Sequence, residues 1–214
     1  ITSLSAKNLF GLAQSDTKPE IAYVIRNSLY LNITSRCPNK CVFCSRETAP
    51  YVKGHYLGTN NEPTVEELKD AIGDPSGYDE VVFCGFGEST ERLDVLKGIA
   101  GYLKEKGAKV RLDTNGLGDL INKRPICEEL EGLIDTICIS LNTNIEDEYQ
   151  KLCQSEYDAQ AYPALISFIK KARDYIPDVM ISIVGMPGID VEACRKIAED
   201  LGGRFRVREY NNVG

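Results

Sequence analysis

The 214-residue sequence lacks any apolar run long enough to cross a lipid bilayer. A membrane-spanning helix needs about 20 consecutive apolar residues. Even the apolar stretches LYLNIT and VMISIVG are interrupted by polar side chains within a few positions. This absence excludes a membrane-spanning protein.

The sequence also lacks an excess of positive charge. It contains 25 Lys and Arg against 32 Asp and Glu, which gives a formal net charge of −7. Binding to a nucleic-acid backbone draws its affinity from clustered basic side chains. The acidic balance therefore argues against nucleic acid as the main partner, and the hydrophobic fraction of 43% is typical of a soluble globular protein.

No linker-like segment divides the chain. Domains typically hold about 150 residues, so this length suffices for one sizeable hydrophobic core. We predict a single domain over residues 1–214.

Strand-like and helix-like patterns alternate along the chain. A β-hairpin is predicted first, from strands over 23–25 and 29–34. Five more strands follow, predicted over 80–85, 109–114, 136–142, 180–185 and 205–210, and helical patterns separate them, two of these before the strand over 180–185. The helical patterns lie at 65–72, 92–106, 126–133, 145–153, 162–175 and 191–201. Strands separated by single helices indicate βαβ units and a parallel sheet.

A closed (β/α)8 barrel needs two more such units, so the alternatives are an open six-stranded barrel and a doubly wound sheet. The strands alternate in polarity: Tyr30, Asn32 and Thr34 share one face, and the residues between them are apolar. A polar inner face is typical of a barrel that encloses a ligand. We predict an α/β fold, an open partial (β/α)6 barrel with an N-terminal β-hairpin extension.

Three of the eight cysteines lie within eight residues, directly after the first parallel strand. Cys37, Cys41 and Cys44 form a C-x3-C-x2-C pattern. Three soft thiolates suit a [4Fe–4S] cluster that keeps one iron open. A zinc site would need a fourth ligand, and the candidates His55 and Cys84 lack the paired spacing of zinc ribbons. With no signal-peptide segment ahead of this cluster, we expect a reducing, cytoplasmic location.

A second motif, Cys84-Gly-Phe-Gly-Glu88, follows the second parallel strand. Glycine lets a backbone approach a ligand closely. The exposed carbonyls and the Glu88 carboxylate would accept hydrogen bonds from an ammonium group. Without the cysteines, the same residues would suggest an ordinary loop.

Taken together, these motifs resemble the radical S-adenosylmethionine (SAM) superfamily. The resemblance implies that Cys37, Cys41 and Cys44 bind the cluster and that Phe43 lies near the adenine. Gly85, Phe86, Gly87 and Glu88 resemble the Gly-Gly-Glu motif for the methionine amine, with Phe86 replacing a glycine. The looser matches to the remaining cofactor contacts are Asp113, Ser140 and Asn142. Length and motifs look most like the small radical SAM proteins named for their association with TatD-family nucleases.

The resemblance implies reductive cleavage of SAM to a 5′-deoxyadenosyl radical that abstracts a hydrogen atom from a substrate. The implied partners are a small-molecule or peptide substrate and an electron donor such as a flavodoxin or ferredoxin. Two alternatives stay open, a glycyl-radical-type activase of a partner protein and a noncatalytic iron–sulfur module. The other five cysteines are too dispersed along the sequence to suggest a second cluster.

Three arginines on strands are expected to face the barrel interior, because they alternate with apolar neighbours. They are Arg111, Arg206 and Arg208. A closed interior holds few unpaired charges. The hypothesis is an anionic substrate, and internal ion pairs with Asp113 and Glu209 are the alternative.

Overall fold

The computed structural model describes residues 18–47, 49–60 and 62–210. Seven strands form one sheet in the order β1-β2-β5-β6-β7-β8-β9, and β3 and β4 form a separate ribbon. The strands are β1 Ala22–Ile25, β2 Ser28–Leu31, β3 Tyr51–Val52, β4 His55–Tyr56, β5 Glu80–Phe83, β6 Val110–Thr114, β7 Thr136–Ser140, β8 Asp178–Val184 and β9 Arg204–Arg208. The helices are α1 Val65–Ile72, α2 Leu93–Glu105, α3 Gly118–Asn122, α4 Glu146–Cys153, α5 Ala161–Tyr175 and α6 Val191–Asp200.

The sheet follows chain order without a reversal. Strand β1 pairs antiparallel with β2, and every later neighbour pair is parallel. A doubly wound sheet would contain a point where the strand order reverses. Among the described strands β1 and β9 do not pair with each other, so the barrel is open. The predicted open partial barrel with its N-terminal hairpin is confirmed.

The two faces of the sheet differ as the alternation predicts. The outer side chains, such as Leu31, Phe83 and Leu112, are buried in one hydrophobic core with the helices. Inner side chains bond across the concave side: Arg111 of β6 donates to the hydroxyl of Tyr30 on β2, with β5 lying between these strands. The concave side is therefore the polar side.

One predicted helix is wrong. The segment 126–133 contains only a single 3-10 turn, Glu128–Leu130, and α3 lies before it. Ile126 and Leu130 are fully buried without further helical turns, and the positive φ of Gly132, 72°, is not helical. The apolar spacing here reflects packing into the core rather than an extended helix.

Two local features position the loops near the site. The predicted capping box at α1 is present, since Thr64 and Glu67 exchange hydrogen bonds. The β3–β4 ribbon lies in the polar stretch where no element was predicted, and its turn is Lys53-Gly54. Within the described ranges, no helix has both the length and the apolar character that a membrane crossing requires.

Candidate cluster and cofactor site

The cysteine motif lies on the loop that follows β2, at the carboxyl end of the parallel strands. Cys37, Cys41 and Cys44 are all free thiols and all partly accessible. Ligands of open α/β sheets bind at this edge. The expected position of the three thiols relative to the first parallel strand is therefore observed.

The end of α4 clamps this loop through its backbone. Lys40 N–H donates to the carbonyl of Cys153 at 3.0 Å, and Val42 N–H donates to that of Leu152 at 2.9 Å. Pro38 accepts from the amide of Glu156 at 2.9 Å. These bonds hold the loop in place independently of any metal.

The thiol of Cys37 lies among polar groups. Burial and the nearby Glu88 carboxylate raise the pKa of Cys37 to about 12, and Asn115 Nδ2 lies 3.9 Å from its Sγ. Within the described part of the chain, no three His, Cys, Asp or Glu side chains converge on the position of one metal ion. A [4Fe–4S] cube does not require such convergence, because each thiolate binds a different iron. The soft donor set fits a cluster.

A fourth cysteine lies beside the motif, although the sequence places it far away. Cys153 lies next to Cys41, and this neighbour together with burial raises the pKa of the Cys41 thiol. Asn142 Nδ2 also donates to Cys153 Sγ at 3.5 Å. The spacing of cysteines along the sequence could not predict that Cys153 lies here, because backbone hydrogen bonds bring the end of α4 to the loop.

The glycines of the second motif allow the turn to approach the chain itself. A Cβ at Gly87 would clash with the carbonyl oxygen of Thr34 and lie 2.7 Å from that of Arg36. A Cβ at Gly85 would clash with the side chain of Asn32. The turn therefore packs directly against the end of β2 and the start of the cysteine loop. A side chain at either position would separate them.

Glu88 is buried at the centre of this contact. Its Oε1 accepts from Thr90 N–H at 3.1 Å, from Thr90 Oγ1 at 2.8 Å and from Thr114 Oγ1 at 2.8 Å. Its Oε2 accepts from Asn115 N–H at 2.7 Å. Burial raises the pKa of Glu88, and these hydrogen bonds oppose the shift. The carboxylate joins the turn to the end of β6, and Oε2 keeps capacity for one more donor.

Phe86, where the family motif has glycine, points into a small hydrophobic cluster. It packs there with Tyr23 and Leu57. Tyr23 also donates to the carbonyl of Cys84 at 2.9 Å. The Phe86 side chain therefore fastens the turn to the hairpin, and the turn's backbone remains as the candidate contact to a ligand.

The looser predicted contacts lie at or near the same end of the sheet. Ser140 Oγ accepts from Arg208 Nη2 at 3.2 Å, and Asn142 is buried with a φ of 65°. Asn142 Oδ1 and Arg208 Nε are buried without a hydrogen-bond partner among the described residues. Such orphaned atoms fit a ligand that supplies the missing donor and acceptor. Phe43 instead packs partly buried against the main core.

The three arginines differ in their pairing. Arg111 is paired internally: Nη1 lies 2.9 Å from Glu80 Oε1, and Nε lies 3.0 Å from Asp113 Oδ1. Burial raises the pKa of Asp113, while the nearby arginines oppose this shift. Arg208 contacts Ser140, and Arg206 makes no salt bridge with a described residue. The predicted alternative of internal ion pairs therefore holds for Arg111. Its second partner, Glu80, was not predicted from the sequence.

Comparison with known proteins identifies the family of this chain. The model of the Radical SAM superfamily matches residues 31–201. A tRNA-2-methylthio-N(6)-dimethylallyladenosine synthase of Endomicrobium trichonymphae is 24% identical over 197 residues, which cover 87% of this chain and 44% of the relative. A protein of Methanocaldococcus jannaschii, named as a glycyl-radical enzyme activating enzyme, is 32% identical over 126 residues, 58% of this chain and 47% of the relative.

A solved structure shares the fold. The crystal structure of Streptococcus suis SuiB superposes with a TM-score of 0.63 at 18% identity, covering 86% of this chain and 40% of that one. The chain thus spans less than half the length of each of these three relatives.

Proposed function

The chain belongs to the radical SAM superfamily, and from this premise we propose that it cleaves SAM reductively at a [4Fe–4S] cluster. Cys37, Cys41 and Cys44 would hold the cluster. When bound, the reduced cluster supplies the electron that splits SAM into methionine and a 5′-deoxyadenosyl radical, which abstracts a hydrogen atom from a substrate. The observation that carries the proposal is the contact between the cysteine loop and the glycine turn.

The protein's own residues would orient the cofactor. The backbone of Gly85–Gly87 and the spare capacity of Glu88 Oε2 are the proposed acceptors for the methionine ammonium. Glu88 N–H donates to the carbonyl of Arg36 at 2.8 Å, so a backbone hydrogen bond joins the turn to the start of the cysteine loop. This pre-organisation would bring cofactor and cluster together without further ordering of the chain.

The polar concave side would bind the rest of the cofactor. Asn142 Oδ1 is a proposed acceptor for a hydroxyl group of the cofactor, because it has no hydrogen-bond partner among the described residues. Ser140, which accepts a hydrogen bond from Arg208, is a second proposed contact. Asp113 is proposed as a further polar contact, and Phe43 as the aromatic neighbour of the adenine. The proposed electron donor is a flavodoxin or a ferredoxin, and the proposed location is the cytoplasm.

The test is reconstitution of the protein with iron and sulfide under anaerobic conditions, followed by reductant and SAM. We expect about four irons per chain and formation of 5′-deoxyadenosine. Cys41→Ala should reduce the iron content to near none. Cys194→Ala is the matched control, because Cys194 is a buried cysteine on α6, and it should retain the cluster. A full cluster in Cys41→Ala, or no 5′-deoxyadenosine from the wild type, would contradict the proposal.

A glycyl-radical activase is the second candidate, and it is favoured by the 32% identity to the Methanocaldococcus protein. The two candidates differ in the source of the abstracted hydrogen. With a small-molecule or peptide substrate, deuterium from that substrate appears in 5′-deoxyadenosine. With an activase, the deuterium comes from a glycine-labelled partner protein, and the partner acquires a glycyl radical signal in electron paramagnetic resonance.

A further inference from the structure

A cavity of about 590 Å³ lies beside the polar concave face, toward the starts of the parallel strands. Its lining comes from separate elements: the β1–β2 hairpin, the β3–β4 turn, β5, β6 and β9. Arg111 lines it and contacts Asp113, whose carboxylate interacts with Cys84 at the start of the glycine turn. The cavity is therefore connected through contacting side chains to the candidate cofactor site.

The charge of this cavity is strongly unbalanced. Four basic side chains line it, and Glu80 is the single carboxylate that does. Glu80 is already paired with Arg111. The other three cations are Arg26, Lys53 and Arg206, and none of them forms a salt bridge or side-chain hydrogen bond within the described ranges.

His55 also lines the cavity, but its ring is occupied. Its Nδ1 lies 2.9 Å from Glu20 Oε2, and its Nε2 lies 3.2 Å from the carbonyl of Val24. The ring therefore ties the ribbon to the hairpin. The anion-binding capacity of the cavity comes from the three unpaired cations.

Two of these cations sit in turns that favour other residues. Arg26 has a φ of 56° in the two-residue β1–β2 turn, and Lys53 has a φ of 49° in the β3–β4 turn. Glycine or asparagine is preferred in this left-handed region, because an L side chain there costs free energy. Both turns direct long basic side chains to the same cavity at the expense of local strain.

We propose that this cavity binds the phosphoryl group of a phosphorylated small molecule. A phosphate monoester carries a charge of about −1.5 to −2 at pH 7. It therefore neutralises more of the cavity's positive charge than a ligand with a single carboxylate group would. Arg206 would bind two phosphate oxygens in bidentate fashion, and Arg26 and Lys53 would supply further charge. The volume suits a small ligand. Naming this molecule as the substrate rests on the proposed function, whereas binding of the anion does not.

The test uses the full chain without cluster and measures binding of inorganic phosphate by isothermal titration calorimetry at low ionic strength. We expect one saturable site. Arg206→Met should weaken the binding about tenfold, since a charge-assisted bidentate contact is lost. Arg26→Gly and Lys53→Gly should each weaken it while leaving the protein folded, because glycine relieves the strained turn.

Lys123→Gly is the matched control. Lys123 is an exposed lysine with a φ of 55° at the end of α3, and it does not line the cavity. This variant removes the same charge and the same strain, so phosphate affinity should stay unchanged. An equal loss of affinity in Lys123→Gly, or the absence of saturable binding, would overturn the proposal.

Acetate distinguishes phosphate from carboxylate recognition. We expect acetate to bind at least tenfold more weakly than phosphate, and equal affinity would overturn the phosphoryl assignment. The outcome is separable from that of the proposed function. Phosphate binding without 5′-deoxyadenosine formation by the loaded protein would contradict the radical SAM reaction alone, and the reverse result would contradict the cavity alone.

Discussion

The two ends of the concave face differ in how their charged side chains are paired: Glu88 is buried in a hydrogen-bonded network, whereas Arg26, Lys53 and Arg206 are exposed to solvent. At the carboxyl end, Glu88 accepts four hydrogen bonds, and the glycine turn packs against the chain without a gap. In the basic cavity, Arg26, Lys53 and Arg206 have no ionic partner among the described residues. Around Glu88 the polar groups form an internal network, and in the cavity the exposed cations form none with the described residues.

This difference separates residues that build the site from residues that await a ligand. A fully satisfied polar network fixes geometry and is costly to disturb. Unpaired cations contribute little to folding, so their removal should affect binding rather than stability. The distinction can be tested by comparing stability effects in the first region with those in the second.

The largest stability effect is expected where the turn meets the cysteine loop. Gly87→Ala would force a methyl group against the carbonyls of Thr34 and Arg36, and backbone atoms cannot rotate away. We expect the free energy of unfolding to fall by about 4 kcal/mol or more, as for severe overpacking. Chemical denaturation measures this.

A glycine with open space provides the control for that substitution. Gly98 is exposed on α2, and a Cβ there meets nothing within 4 Å. Gly98→Ala should raise the free energy of unfolding by about 0.5–1 kcal/mol, because alanine favours helix. Similar effects of the two substitutions would show that the close approach at Gly87 does not matter.

The next effect compares two arginines that line the same cavity. Arg111→Met would remove the ion-pair partner of Glu80 and Asp113, so we expect a loss of about 3 kcal/mol in unfolding free energy. Arg206→Met removes an unpaired charge and should change stability by less than about 0.5 kcal/mol. Thermal unfolding of both variants measures the contrast. Equal losses would mean that Arg206 is also part of the internal network.

The sequence predicts part of the difference between the two regions. Alternation along the strands predicted which side chains face inward, because side chains of a strand point to opposite faces in turn. It did not predict that Arg111 pairs with Glu80, since that contact depends on strand register. The C-x3-C-x2-C spacing predicted the cysteine loop, whereas the proximity of Cys153 depends on backbone bonds that any residue forms.

The basic cavity could not be predicted as a unit. Arg26, Lys53 and Arg206 come from three separate segments, and only the fold brings them together. The ribbon that carries Lys53 has strands of two residues, which are too short for a periodic pattern. In its Lys-Gly turn only the glycine is a residue that such turns favour. The predicted helix over 126–133 failed because apolar spacing alone does not distinguish a helix from a buried turn.

A smaller effect, on the affinity for SAM, is expected from a substitution of Glu88. Glu88→Gln keeps the size of the side chain but removes its charge and turns one acceptor oxygen into an NH2 donor. A charge-assisted bond to the methionine ammonium would be lost, together with the bond from the N–H of Thr90 or of Asn115. We expect SAM affinity to fall about tenfold, with unchanged iron content. Glu192→Gln is the control, since Glu192 is an exposed carboxylate on α6 that pairs with Arg195. Unchanged affinity in Glu88→Gln would limit Glu88 to a structural role.

The smallest effect concerns a satisfied ion pair on the outside of the barrel, the counterpart of the unpaired cations. Glu129 contacts Lys97 Nζ at 2.6 Å and Arg124 Nε at 2.8 Å, and these bonds lower its pKa to about 2. Solvent screening keeps the contribution small, so Glu129→Gln should lower the unfolding free energy by less than about 1 kcal/mol at pH 7. A lowered pKa in the folded state stabilises the protein above the unfolded pKa, and this stabilisation disappears as the pH falls towards 2. The difference between wild type and variant, measured by denaturation from pH 7 to pH 2, should therefore shrink towards zero, and a difference that grows in acid would contradict the assigned ion pair.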